Sequence, residues 1–257
     1  MRHIPRKRFG QHFLHDPRVI EKILLAISPR PGDTLVEIGP GLGAITLPLL
    51  ERAGRLTAVE LDRDVIPALQ ESARGHGELT VIQGDALETP LGPLAPAGGK
   101  LRLLGNLPYN ISTPLLFHFL EQADCVQDMH FMLQKEVVQR MAAKPGGKEY
   151  GRLTVMLAAR CRVEPLFNIG PGAFRPPPKV DSAFVRLVPH VTAPFPVADR
   201  GRFAQIVAQA FSHRRKTLKN ALAGLIDEDA IRRAGIDPKA RPETLSTADY
   251  ARLSGLG

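Results

Sequence analysis

Thr34-Leu35-Val36-Glu37-Ile38-Gly39-Pro40-Gly41-Leu42-Gly43 is the stretch that decides the fold. Leu35, Val36 and Ile38 form a short apolar run of the kind that makes a buried parallel strand. Gly39, Gly41 and Gly43 follow as a turn that no side chain obstructs, and Ala44-Ile45-Thr46-Leu47 opens a helical pattern. Strand, glycine turn and helix in that order build a ligand crevice at the carboxyl end of a parallel sheet. Gly39, Gly41 and Ala44 also fit a loose dinucleotide fingerprint. Glu37 opposes that reading, because a carboxylate two residues before the turn repels a pyrophosphate. It suits instead a ligand carrying positive charge, such as an ammonium or a sulfonium.

A chain of 257 residues can hold one large core, or a core with a small appendage. It is 44% hydrophobic and has no apolar run long enough to span a bilayer. The start, Met1-Arg2-His3-Ile4-Pro5-Arg6-Lys7-Arg8, lacks the apolar segment of a secretory signal. Cys125 and Cys161 are the two cysteines, too few for a disulfide framework or a zinc cluster, and a reducing cytoplasm is expected. Both sit in apolar company, so ordinary packing is expected of them. No metal is expected, since His118 and His130 have no ligand cluster around them.

The net charge of +8 is unevenly spread. Residues 23–134, which contain the crevice, are acidic at −6, whereas the flanking segments carry +14 together. That split points to a polyanionic partner held by the flanks, with nucleic acid the leading candidate.

Asp16-Pro17 reads as a cap and first-turn proline for a helix to Ile27. Leu56–Val59 is the second strand, ending at Glu60-Leu61-Asp62; an acid there, about 20 residues past the turn, is placed to bind ribose hydroxyls. Leu79–Gln83 is the third strand and runs into Gly84-Asp85-Ala86, where Asp85 can meet an exocyclic amine. Leu101–Leu104, the fourth, leads into Gly105-Asn106-Leu107-Pro108-Tyr109-Asn110. Met129–Leu133 is a fifth strand, Gly151–Cys161 a helix, and Phe174-Arg175-Pro176-Pro177-Pro178-Lys179-Val180-Asp181-Ser182 a stiff lead into a last strand. Residues 189–196 hold three prolines and no Lys, Arg, Asp or Glu, which marks a linker, and residues 199–257 show helical periodicity alone.

The Asn106 loop is the second chemical centre. An amine on an aromatic ring is a poor nucleophile because its lone pair is delocalised. Hydrogen-bond acceptors on its N–H groups turn that lone pair outward. Asn106 offers a side-chain carbonyl, and Leu107, extended because Pro108 follows it, offers a backbone one. Tyr109 supplies a face for the base and for the positive charge that develops on methyl transfer.

Taken together, Gly10-Gln11-His12-Phe13-Leu14, the glycine turn, Gly84-Asp85-Ala86, Asn106–Ser112, Phe174–Ser182 and Phe211–Leu222 resemble the ribosomal RNA adenine dimethylases. The likeness spans essentially the whole chain and is strongest to bacterial members of the small-subunit (16S) type. It implies an α/β fold of the class I, Rossmann-like methyltransferase kind, with a small all-helical C-terminal domain. The expected domains are 1–190, with the basic arm, and 191–257, an RNA-binding unit. The implied cofactor is S-adenosyl-L-methionine. The implied partner is 16S rRNA within the assembling small subunit, acted on by a cytoplasmic monomer. The implied reaction converts two adjacent adenosines near the rRNA 3′ end to N6,N6-dimethyladenosine.

By motif position the cofactor residues are His12, Leu14, Gly39, Glu60, Asp85 and Asn106, and their neighbours Glu37, Gly41, Leu61 and Ala86 complete the set. Position 12 is often Asn in this family, so the His12 side chain departs from the pattern. Asn106, Leu107, Pro108 and Tyr109 form the base-holding loop, with Phe174 expected to close the base's other face. Arg6, Lys7 and Arg8, with Arg214, Arg215, Lys216 and Lys219 at the start of a helix over Phe211–Leu222, are expected to clamp RNA phosphates. Cations there oppose the helix dipole, which makes them a poor choice for stability alone. Two rival readings are a large-subunit rRNA dimethylase of the antibiotic-resistance type and a non-catalytic assembly factor on the same fold. Leu107 and Asp181 favour the small-subunit type, and the intact Asn106 loop with both crevice acids favours catalysis.

Overall fold

The computed structural model describes residues 12–213 and 215–256. A two-residue strand β1 (Phe13–Leu14) precedes helix α1 (Pro17–Ile27), which Asp16 caps by accepting the Arg18 and Val19 backbone N–H groups. The chain then alternates β2 (Leu35–Ile38), α2 (Thr46–Ala53), β3 (Arg55–Glu60), α3 (Ile66–Ser72), β4 (Glu78–Gln83), β5 (Leu101–Asn106), α4 (Ser112–Glu121) and β6 (Val126–Gln134). Helices α5 (Lys135–Met141) and α6 (Arg152–Ala158) come next, followed by β7 (Cys161–Ile169), β8 (Phe174–Arg175) and β9 (Ser182–Pro189). The helix expected over Gly151–Cys161 therefore stops at Ala158, because Cys161 already belongs to a strand.

Seven strands form one sheet in the order β4-β3-β2-β5-β6-β9-β7. Strands β2 to β6 pair in parallel, and β9 runs antiparallel to β6. This is the order of a doubly wound sheet, with the reversal between β2 and β5 that creates a crevice at the strands' carboxyl ends. Both faces are covered. Phe131 of β6 stacks on Phe119 of α4 with centroids 5.6 Å apart. Its neighbour Met132, on the opposite face by strand alternation, joins a core with Ile23, Leu24 and Ile27 of α1 and Leu49 and Leu50 of α2. β1 and β8 form a separate antiparallel pair, Phe13 opposite Arg175 and Leu14 opposite Phe174.

A buried ion cluster sits at the amino end of β5. Arg102 donates Nε to Asp128 Oδ1 at 2.8 Å, Nη1 to Asp33 Oδ2 at 2.8 Å and Nη2 to the Ile27 carbonyl at 2.7 Å. Asp128 loses stability from burial, yet Arg102 outweighs that loss and holds its carboxyl below the ordinary range. Next to it His130 is 1% exposed and stacked on Phe184, with neither ring nitrogen hydrogen-bonded among the described residues. Burial lowers its pKa to about 4, against the pull of Asp128, so the ring is neutral at physiological pH.

The described chain groups into two compact units. The first takes the residues up to Val138 with Glu164–Pro189; the second takes Gln139–Val163 and the residues from His190 on. The expected 1–190 domain differs by residues 139–163. Tyr150 and Val155 share a core with Phe203, Ile206, Val207 and Tyr250, and Tyr150 donates its hydroxyl to the Leu245 carbonyl at 2.8 Å. The second unit also holds α7 (Arg200–Ser212), α8 (Leu218–Ala221), α9 (Glu228–Arg233) and α10 (Thr247–Ser254). Of the expected linker, residues 189–196, Pro189 still belongs to β9, and residues 190–196 have no regular structure.

Two outcomes follow for stability. Arg102→Met removes the buried cation shared by Asp33 and Asp128, leaving Asp128 with Arg186 as its one cation among the described residues, and should cost about 3–5 kcal/mol in urea unfolding at pH 7. His130 has a folded pKa below its ordinary 6.5, so the unfolded chain takes up its proton first. His130's contribution to stability should therefore fall as pH drops from 6.5 to about 4, while Glu37, with its pKa raised to about 7, acts in the opposite sense over much of that range. His130→Phe should remove its contribution and change the slope of the stability curve there relative to the wild type; an unchanged slope would remove His130 as a source.

Candidate active site

At the carboxyl edge of the parallel strands, Ile38, Glu60, Gln83 and Asn106 end their strands side by side. Gly39, Gly41 and Gly43 adopt φ of 65°, 55° and 87°, a left-handed conformation in which a β-carbon is strained. A β-carbon on Gly41 would also press on the Phe13 ring at 3.0 Å. The turn and the strand ends enclose a cavity of about 320 Å³. All ten residues expected to meet the cofactor line it: His12, Leu14, Glu37, Gly39, Gly41, Glu60, Leu61, Asp85, Ala86 and Asn106. Leu107, Pro108 and Tyr109 line it too.

Three carboxylates set its electrostatics. Glu60 is buried, and two backbone N–H groups orient it: Gly41 donates to Oε2 at 3.2 Å and Asp62 to Oε1 at 2.8 Å. Each oxygen keeps a lone pair for a further donor, which matches the two hydroxyls of a ribose. Burial raises the Glu60 pKa, and the two N–H groups pull it back. Glu37 is buried beneath the turn and accepts the Thr46 hydroxyl at 2.6 Å. Burial first, and the Glu60 charge as well, lift its pKa to about 7 although Thr46 lowers it. Asp85 accepts the Leu87 N–H on Oδ1 at 2.9 Å, leaving its other oxygen for an amine.

A polyphosphate does not fit among these acids, and the Gly41 N–H that would cradle one is already donated to Glu60. A cationic adenosine derivative fits: hydroxyl acceptors, an amine acceptor and a buried acid converge on one cavity.

Asn106, at the tip of β5, donates Nδ2 to the His12 backbone carbonyl at 3.0 Å. A carbonyl only accepts, so the amide orientation is fixed and Oδ1 keeps no protein partner among the described residues. Leu107 is buried and donates its N–H to Met132 O at 3.2 Å. Tyr109 follows in the turn before α4, its hydroxyl 2.6 Å from Ser182 Oγ and its ring stacked on His12 with centroids 5.7 Å apart. Burial raises the Tyr109 pKa and Ser182 lowers it, with a net rise that keeps the phenol neutral.

Three expectations need correction or fall away. Phe174 is 2% exposed, paired through β8 with β1 and packed in the core, so it is not on the cavity wall where it was expected to close on a base. The helix over Phe211–Leu222 is two helices: α7 stops at Ser212, whose hydroxyl donates to the Gln209 carbonyl, and α8 starts only after the extended Thr217. Arg215 and Lys216 lie exposed in the turn between them, so the dipole argument does not apply, and Lys219 is paired with Glu228 at 3.1 Å. Arg6, Lys7, Arg8 and Arg214 lie outside the described residues. Ser182 and Phe13, by contrast, escaped the sequence; Ser182 sits 73 residues from the tyrosine it meets. No group of three or more His, Cys, Asp or Glu side chains could hold a metal among the described residues.

The model of the family described as "Ribosomal RNA adenine dimethylase" matches residues 2–256. A "Ribosomal RNA small subunit methyltransferase A" from Methylococcus capsulatus is 56% identical over 257 residues, 99% of this chain and 98% of the relative. Among solved structures, a dimethyladenosine transferase from Plasmodium falciparum is 26% identical with a TM-score of 0.81, covering 94% of this chain and 96% of that one. The 23S rRNA methyltransferase ErmE is 27% identical with a TM-score of 0.72, covering 94% and 98%.

Replacing Glu60 by Ala should weaken S-adenosylmethionine binding by ~1–3 kcal/mol, the range for hydrogen bonds to a charged group. Calorimetry on a folded Glu60→Ala protein that binds as tightly as the wild type would remove Glu60 from the site.

Proposed function

This chain belongs to the ribosomal RNA adenine dimethylase family, and from that premise we propose that it dimethylates two adjacent adenosines near the 3′ end of 16S rRNA. It is an S-adenosylmethionine-dependent methyltransferase acting in ribosome biogenesis. We assign it to the cytoplasm, as a monomer working on the assembling small subunit. No helix among the described residues is long and apolar enough to cross a membrane, and both cysteines are free thiols.

The observation that carries the reading is the Asn106 amide, oriented so that Oδ1 is left as an acceptor at the cavity wall beside Tyr109. When bound, S-adenosylmethionine supplies an electrophilic methyl group on a positively charged sulfur. Glu60 is suited to its ribose hydroxyls, Asp85 to its adenine amine, and Glu37, Gly39, Gly41, the His12 backbone, Leu14, Leu61 and Ala86 to the rest of its surface.

The remaining work falls to the Asn106 loop. Asn106 Oδ1 and the Leu107 carbonyl accept the two N–H groups of an adenine N6, which localises the lone pair on nitrogen, out of conjugation with the ring. Their hold strengthens as positive charge builds on nitrogen, so the loop favours the transition state over the bound base. Tyr109 offers a neutral aromatic face whose quadrupole also favours that charge. No strong base is required, because the N–H becomes acidic once the fourth bond has formed. After the first methyl one N–H remains, and one acceptor suffices to hold it for the second transfer. Exposed Arg215 and Lys216, with Arg6, Lys7, Arg8 and Arg214, supply positive charge for the RNA backbone.

Asn106→Ala should bind small subunits nearly as the wild type does yet methylate them at least tenfold more slowly, since its contact matters most as charge develops. Tyr109→Ala should lose about 1–3 kcal/mol of base stacking, while Tyr109→Phe, which loses only the Ser182 contact, should be mild. Single-turnover methylation of undermethylated subunits reads all three. A Phe variant as damaged as the Ala variant would make the hydroxyl, rather than the face, the working group.

A further inference from the structure

His12 engages two residues of the proposed base-holding loop, Asn106 and Tyr109. Its backbone carbonyl takes the Asn106 amide, and its ring stacks on Tyr109 at 5.7 Å with the planes 28° apart. The ring is itself tethered, with Nδ1 2.8 Å from the Pro176 carbonyl. Because a carbonyl only accepts, Nδ1 carries the proton and the tautomer is set. The chain on either side is held as well: Phe13 pairs with Arg175, and the His15 N–H donates to Ala173 O at 2.9 Å. His12 is thus fixed by contacts that do not involve Tyr109.

Tyr109 is then held at two points, its hydroxyl by Ser182 and its ring by His12. With Phe174 in the core, Tyr109 is the one aromatic side chain of the Asn106 loop that can stack on a base, and one of its faces is already covered. We infer that the His12 ring is a positioning residue for methyl transfer, buttressing Tyr109 on one face so that the target adenine stacks on the other. This rests on the function proposed above. A side chain without a ring at position 12 would keep the backbone contact to Asn106 and lose the buttress.

The test compares His12→Ala, His12→Phe and His12→Asn with the wild type on undermethylated small subunits, with cofactor affinity measured by calorimetry on the same proteins. His12→Ala and His12→Asn should lower kcat about three- to tenfold, the range of one stacked aromatic pair. Their KM for subunits and their Kd for S-adenosylmethionine should stay within about twofold. His12→Phe, which keeps a ring but not the Pro176 bond, should restore most of kcat. In a Tyr109→Ala background, His12→Ala should cost nothing more, since its effect passes through that ring. A kcat unchanged or raised in His12→Ala would overturn the proposal, the ring then being a bystander or an occupant of the base's own place. Rescue by Asn but not by Phe would overturn it too, by assigning the effect to hydrogen bonding. A wild-type protein that binds cofactor but methylates no small-subunit RNA would instead remove the functional reading beneath it.

Discussion

The close passage of Gly105 against Ile38 is the constraint on which the site depends. In the β2–β5 ladder these residues stand opposite one another, and any β-carbon on Gly105 would overlap the Ile38 carbonyl oxygen. The glycine lets two strands end together, one turning into the Gly39–Gly43 loop and the other into Asn106. The turn proposed to bind the methyl donor and the loop proposed to hold the amine therefore share one wall. A doubly wound sheet provides many such edges; this glycine brings these two centres together.

Charge separates the two jobs of the chain. Around the cavity, Glu37, Glu60 and Asp85 create a field that welcomes a cation and rejects phosphate. Glu37, with a pKa of about 7, is ionised only in part near neutrality, so a cationic ligand meets an acid whose charge grows as the ligand binds. Outside that segment the net charge is strongly positive, as suits a polyanionic RNA. A single acidic or basic surface would serve one substrate at the expense of the other.

Much of this was legible in the sequence because it is local. The glycine turn, the acids that end β3 and β4, and the Asn106 loop are each written in fewer than ten consecutive residues, and a parallel sheet delivers strand ends to one edge whatever lies between. What escaped was pairing at a distance. β1 and β8 are two residues each and too short for any periodicity, yet they seat His12 and bury Phe174. A phenylalanine inside a known motif is easily taken for a base-stacking face when its strand partner is unseen. Arg102 did leave a signal, since a charged side chain within the apolar run Leu101–Leu104 demands buried partners. Nothing in the sequence says that those partners are Asp33 and Asp128. The break at Thr217 was hidden for another reason: the helical period of residues 211–222 survives a short turn, and the backbone at Thr217 decides the matter.

The proposed function has this edge present an adenine N6 to a methyl donor, twice, on small-subunit RNA. Its most direct test incubates the protein with methyl-tritiated S-adenosylmethionine and undermethylated small subunits, then locates the label by primer extension and nucleoside analysis. Label should be confined to two adjacent adenosines near the 3′ end of 16S rRNA and recovered as N6,N6-dimethyladenosine. Label on large-subunit RNA, on any atom other than N6, or stopping at the monomethyl stage would contradict it.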